Sequence, residues 1–139
     1  MANEQFSVQK PDDEWRRELA PDAYRVLRRH GTEPAGSSLL NYEHGTGTFS
    51  CAACGQPLFS SDTKFESGSG WPSFFRPLPG AVGTSEDSSH SMRRTEVHCS
   101  RCGGHLGHVF PDGPRPTGER YCMNGVALRF EPGQSKNQP

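Results

Sequence analysis

The chain has 139 residues, enough for one domain with a single core, and that core is lean: 31% of residues are hydrophobic, while 16 Gly and 12 Pro demand many turns. Fifteen Lys plus Arg against 16 Asp plus Glu leave a formal charge of −1, without the basic excess that holds a phosphate backbone, so nucleic acid is not an expected partner. No apolar run reaches the roughly 18 residues of a membrane span, and Met1 to Lys10 has no secretory apolar core, so we expect no membrane association and a cytoplasmic protein with reduced cysteines.

In chain order, residues 1–10 are polar and without period, which reads as a flexible arm. Asp12 is placed to cap a helix carrying Glu14, Trp15, Glu18 and Leu19 at helical spacing. A second helix runs from Pro21 to about His30, with Tyr24 and Leu27 on one face, Val26 beside them, and a stop at Gly31. Arg28, Arg29 and His30 at its negative end read as a solvated helix terminus. Thr32 to His44 is a loop, rich in Gly, Ser and Pro.

Beyond it the helical pattern stops. Short runs at Thr46 to Cys51, Leu58 to Ser60, Arg93 to Cys99, His105 to Phe110 and Gly125 to Phe130 read as strands. In the last, Val126, Leu128 and Phe130 should face one way, with Ala127 and Arg129 the other. The domain, 11–131, is thus mainly antiparallel β with one or two N-terminal helices, and 132–139 is a flexible tail.

Four of the five cysteines form two Cys-x-x-Cys-Gly knuckles, Cys51/Cys54 and Cys99/Cys102. The spacing suits one tetrahedral zinc, and a site closed by four thiolates has no open position for water, so the metal is structural. The linker, 55–98, exceeds the roughly 15–20 residues of a simple zinc ribbon, so part of the fold is inserted there. Iron in the same thiolates stays open. A redox Cys-x-x-Cys would need a strand-to-helix setting that neither copy has.

Cys122 is left over. Two residues from it on either side, Arg120 and Asn124 share its face of a strand. A free thiol is mostly protonated at neutral pH, so a nucleophile needs a cation or donor nearby, and Arg120, His105 and His108 are the candidates. The two histidines sit at an odd separation and face opposite sides unless Gly107 bends the strand. Trp71 offers a large apolar wall and one N–H donor, fit for a small substrate with a methyl group and a polar head.

Gly68-x-Gly70-Trp71-Pro72-Ser73-Phe74, His105-Leu106-Gly107-His108-Val109-Phe110-x-Asp112, Arg120-Tyr121-Cys122-x-Asn124 and the two knuckles together resemble the peptide-methionine (R)-S-oxide reductases. The resemblance runs from about Asp13 to Phe130. It implies two antiparallel sheets, a zinc far from the active site, and reduction of the R epimer of methionine sulfoxide, free or in proteins. It makes Cys122 the attacking thiolate and Trp71 the wall for the substrate methyl. His105, His108 and Asn124 become the polar set around the sulfoxide, with His108 the first choice for the acid. Phe110, Arg120 and Asp112 line the substrate's surroundings.

One departure matters: Ser69 stands where many members of the family have a resolving cysteine, and serine cannot condense with a sulfenic acid to a disulfide. The expectation is a one-cysteine cycle completed by thioredoxin, glutaredoxin or a small thiol, in a monomer. The competing readings are a zinc-ribbon interaction module, which leaves Trp71, the histidines and Cys122 without a role, and a zinc hydrolase, which the closed ligand set opposes.

Overall fold

The computed structural model of the chain describes residues 6–88 and 93–133. Two helices come first. In α1 (Asp12–Glu18) the acidic residues fall in the first turn and Arg16 and Arg17 in the last, as the helix dipole favours. The expected cap is not made: Pro11 takes the N-cap position, and Asp12 instead accepts a 2.8 Å bond from the Tyr24 hydroxyl, tying α1 to α2 (Pro21–Arg29). The stripe that α2 buries is Ala23, Val26 and Leu27, at helical spacing, and Tyr24 is only partly covered.

His30, rather than Gly31, takes the left-handed conformation that ends α2 (φ 59°). The basic cluster there is engaged, not merely solvated. Arg28 donates to the Cys102 carbonyl at 3.2 Å and lies over the Trp15 ring, Arg29 donates to the Tyr24 hydroxyl at 2.9 Å, and His30 Nε2 stands 3.4 Å from Glu96.

Among the described residues nine strands form two antiparallel sheets, as expected. The smaller holds β1 (Gly47–Cys51), β2 (Pro57–Ser60) and β9 (Leu128–Pro132) in the order β2-β1-β9. The larger holds β3 (Lys64–Phe65), β4 (Ser73–Phe74), β5 (Val82–Asp87), β6 (Arg94–Cys99), β7 (His105–Phe110) and β8 (Arg120–Met123), in the order β3-β4-β8-β7-β6-β5. The polar β5 carries no clear alternation in the sequence; it is an edge strand, where polar residues discourage pairing with other chains.

The strand expected at Gly125 to Phe130 starts late. Gly125–Ala127 form a turn of 3-10 helix because the Glu33 carboxylate accepts the amides of Gly125 and Val126 (2.8 and 3.0 Å), which removes them from a ladder. Ala127, expected outside, is fully buried, and Val126 is only partly so.

Large rings compensate for the low apolar content. Phe59 of the smaller sheet stacks on Phe74 of the larger at 4.3 Å, Phe49 meets Phe74 edge-on at 5.0 Å, and all three are fully buried. Truncating any of them to Ala typically costs ~3–5 kcal/mol. On the other side α2 packs on β7, with Leu27 beside Gly104.

Of the expected arm and tail, residues 1–5 and 134–139 lie outside the described residues. Phe6 packs on Gly103 and meets the His98 ring edge-on, Val8 donates to the Arg101 carbonyl at 3.0 Å, and Gly133 donates to that of Thr46 at 2.8 Å. Among the described residues no helix is long and apolar enough to cross a membrane.

Candidate active site

Both knuckles turn on a glycine with positive φ, Gly55 (84°) and Gly103 (77°), whose amides return to the carbonyls of Cys51 and Cys99 at 2.8 and 2.9 Å. The four sulfurs lie within 4.8 Å of one another, with Cys51 to Cys102 at 3.8 Å and Cys54 to Cys99 at 3.6 Å. A tetrahedron with metal–sulfur bonds of about 2.3 Å has edges of about 3.8 Å. The amides of Arg101 and Gly104 point at the sulfurs of Cys99 and Cys102, each at 3.4 Å, as donors around a thiolate site should. The arrangement fits one metal ion held by Cys51, Cys54, Cys99 and Cys102.

Cys122 lies in β8, opposite Ser73 of β4 on one side and His108 of β7 on the other. It opens into a cavity of about 330 Å³ whose walls include Trp71, His108, Phe110, Arg120 and Asn124. None of the four clustered cysteines reaches that cavity. The Trp71 N–H is not free for a ligand: it donates to the Glu33 carbonyl at 3.0 Å, which leaves the ring as an apolar wall. Arg120 is held by the Asp112 carboxylate (2.9 and 3.2 Å) and lies over the Phe110 ring at 4.5 Å.

The sulfur of Cys122 stands 3.7 Å from Ser69 Oγ, in a cluster where Ser67 Oγ is 2.8 Å from Ser69 Oγ and 2.7 Å from Ser73 Oγ. Burial pushes the Cys122 thiol above its ordinary pKa, and the Ser69 hydroxyl and the Arg120 charge pull it back without overcoming that. The lowering expected from a neighbouring cation is present, but it loses to desolvation.

His105 and His108 do face the same region, through a break in strand pairing one step before Gly107. Opposite β6, Val97 pairs with Gly107 but His98 pairs with His105, so Leu106 is the extra residue of a bulge. The two rings meet edge-on at 5.5 Å. Gly107 has its own role: a Cβ there would collide with the carbonyl oxygen of Cys122, so its absence lets β7 and β8 close together.

His108 Nε2 lies 2.8 Å from Asp87, and since an ionised carboxylate brings no proton, Nε2 is the donor and Nδ1 the free acceptor. Burial lowers the pKa of His108, and Asp87 offsets this only in part. His105 Nδ1 meets Glu96 at 2.9 Å. Asn124 is committed to the frame: its Nδ2 donates to the Leu106 carbonyl at 3.0 Å, and its Oδ1 accepts the Glu33 amide at 2.9 Å.

With this geometry in view, the SelR domain matches residues 19–132. Relatives named peptide methionine sulfoxide reductase MsrB are 58% identical in Leptospira interrogans (91% of this chain, 97% of the relative), 56% in Agrobacterium fabrum (90% and 93%) and 54% in Methanosarcina barkeri (96% and 95%). The chain belongs to the SelR family of MsrB reductases.

Of the residues that the motifs single out in this SelR chain, Trp71, His108, Phe110, Arg120, Cys122 and Asn124 share the cavity, while His105 stands behind His108. Asp112 does not line it. It is tied to Arg120, and the carboxylates beside the histidines are Asp87 and Glu96. Neither carries a local signal, because only the pairing of β5, β6 and β7 brings them to the imidazoles. Glu33 was legible only as part of a loop. It is nevertheless buried, and it bonds Trp71, Asn124, Gly125 and Val126 at once.

Proposed function

We propose that the protein reduces the R epimer of methionine sulfoxide, free or within proteins, to methionine. The observation that carries this reading is the isolation of Cys122: the other four cysteine sulfurs are gathered in one cluster, and the remaining thiol stands in an aromatic-walled cavity across a strand pair from His108.

In this reading the side chain of the substrate enters with its methyl against Trp71 and Phe110. Neutral His108 accepts the thiol proton of Cys122 at Nδ1 and passes it to the sulfoxide oxygen, so the proton the leaving oxygen needs is stored on the nucleophile. The thiolate attacks the tetravalent sulfur, the hydroxyl passes to the sulfur of Cys122, and methionine leaves. Substrate sulfur gains two electrons and Cys122 loses two, ending as a sulfenic acid. Asn124 and Glu33 keep β7, β8 and the Trp71 loop in register around the reaction. His105 and Glu96 fix the surroundings of His108.

Return of the enzyme needs an external thiol, from thioredoxin, glutaredoxin or a small molecule. Ser69 sits at contact distance from the sulfenic acid but has no sulfur to offer. Two thiols are oxidised to a disulfide, and the sulfenic oxygen leaves as water. The four-cysteine cluster is read as a zinc site, which supplies folding free energy and no open coordination position.

Turnover of the R and S epimers with dithiothreitol, comparing the parent with Cys122→Ser, tests the reading. Reduction of the R epimer alone, abolished by the substitution, is the expected result; R reduction that survives it rejects the mechanism. Mass analysis after substrate treatment without reductant should find one added oxygen, and a loss of two hydrogens would instead reveal an internal disulfide.

A further inference from the structure

A second cluster of metal-ligating groups lies behind the Cys122 pocket, and the proposed chemistry places no metal there. His30 at the end of α2, Glu96 in β6 and His105 in β7 bring one donor atom each to a common point, all within 4.8 Å of one another. One carboxylate oxygen of Glu96 is shared: His105 Nδ1 lies 2.9 Å from Oε2, and His30 Nε2 lies 3.4 Å from the same atom. The His30 and His105 rings stand 5.0 Å apart at a tilt of 39°.

The geometry points to a site for a borderline divalent cation, of which zinc is the model, held by His30, Glu96 and His105. Bonds of about 2.0–2.2 Å to nitrogen and oxygen give ligand-to-ligand edges of about 3.4 Å in a tetrahedron, which the His30 separation from Glu96 matches and the 2.9 Å His105 separation reaches by a small opening. Two imidazoles and one carboxylate select zinc, nickel or copper over magnesium or calcium, which want oxygen alone.

The carboxylate is prepared for the role. The Ser85 hydroxyl donates to Glu96 Oε1 at 2.6 Å, orienting it as an outer-shell partner does, while Oε2 faces the two imidazoles, whose direct contact with it the ion would replace. The three residues border a cavity of about 500 Å³, separate in its lining from the four-cysteine cluster, with room for the waters that complete the coordination. His30 is 67% exposed, so the ion has a way in from solvent, while Glu96 and His105 form the buried floor. Occupation fixes the His105 ring that meets His108 edge-on.

The experiment uses protein that keeps metal in its four-cysteine cluster and carries Cys122→Ser, so that the free thiol does not compete. Titration with zinc chloride by calorimetry should show one further equivalent. His30→Ala, a change at an exposed position, should weaken it by about tenfold or more, and His44→Ala should not, although His44 also faces a carboxylate. Cobalt bound in the same equivalent should give visible bands without sulfur-to-metal charge transfer. Absence of a further equivalent, equal affinity in His30→Ala, or a sulfur signature in the cobalt spectrum would each overturn the assignment.

Discussion

In the knuckles, sulfurs stand 3.6–3.8 Å apart and receive backbone amides of Arg101 and Gly104; at Cys122, the neighbours are a serine hydroxyl at 3.7 Å and a guanidinium that Asp112 already holds. Backbone donors cannot swing away, so they suit sulfurs that stay put. Side-chain donors around Cys122 leave burial in control, which holds its thiol above the ordinary pKa. The knuckle sulfurs thus receive fixed amides in addition to the Gln56 and Arg28 side chains, whereas the donors that act on Cys122 are side chains alone.

The contrast breaks most sharply under serine substitution. Cys51→Ser should lose the metal and several of the roughly 10–16 kcal/mol that a four-ligand zinc site contributes to folding, seen as a collapsed thermal midpoint and a metal count near zero. Cys122→Ser should shift the midpoint by no more than about 2 °C while abolishing turnover. A Cys51→Ser protein that stays folded and active would remove the distinction.

Next in size is Glu33→Gln. Loss of a buried carboxylate that accepts two amides costs about 1–3 kcal/mol by denaturant titration, and the loosened turn after Asn124 should raise KM more than it lowers kcat. Ser69→Cys changes outcome more than stability. At the 3.7 Å contact its thiol should capture the sulfenic acid, so mass analysis without reductant shows a loss of two hydrogens rather than an added oxygen.

The smallest effect concerns titration. Because the Cys122 pKa lies above its ordinary 9.0, alkylation by iodoacetamide should be slow at neutral pH and rise with pH as thiolate forms. Arg120→Ala removes a stabilising charge, so its alkylation curve should move to still higher pH. In turnover, protonation of His108 on the acid side of 6.5 removes the proton acceptor, so the rate should fall as pH drops through that range.

Chemistry that rides on local motifs was readable before the structure: the knuckles, Cys122 and Trp71 announce themselves by spacing and residue type. What was not readable depends on partners far along the chain. Asp87 becomes a partner of His108 only after an edge strand with no hydrophobic alternation has paired, and Glu96 meets His105 only through the register of β6 on β7. The stretch after Asn124 alternates like a strand, yet a carboxylate 92 residues away captures the amide of Gly125 and delays it. Tyr24 fell outside the buried stripe of α2 because its hydroxyl found Asp12.

Gly107 carries a lesson for anyone varying this sequence. Its missing side chain sets the distance between two strands, one bearing the imidazole and the other the sulfur, so the position behaves as a spacer whose thickness is that of a hydrogen atom. Even alanine, the most conservative replacement in composition, would press on the Cys122 carbonyl, wedge the pair open and move His108 away from the sulfur without replacing either residue. In a library of variants, this silent residue should tolerate as narrow an alphabet as Cys122 itself.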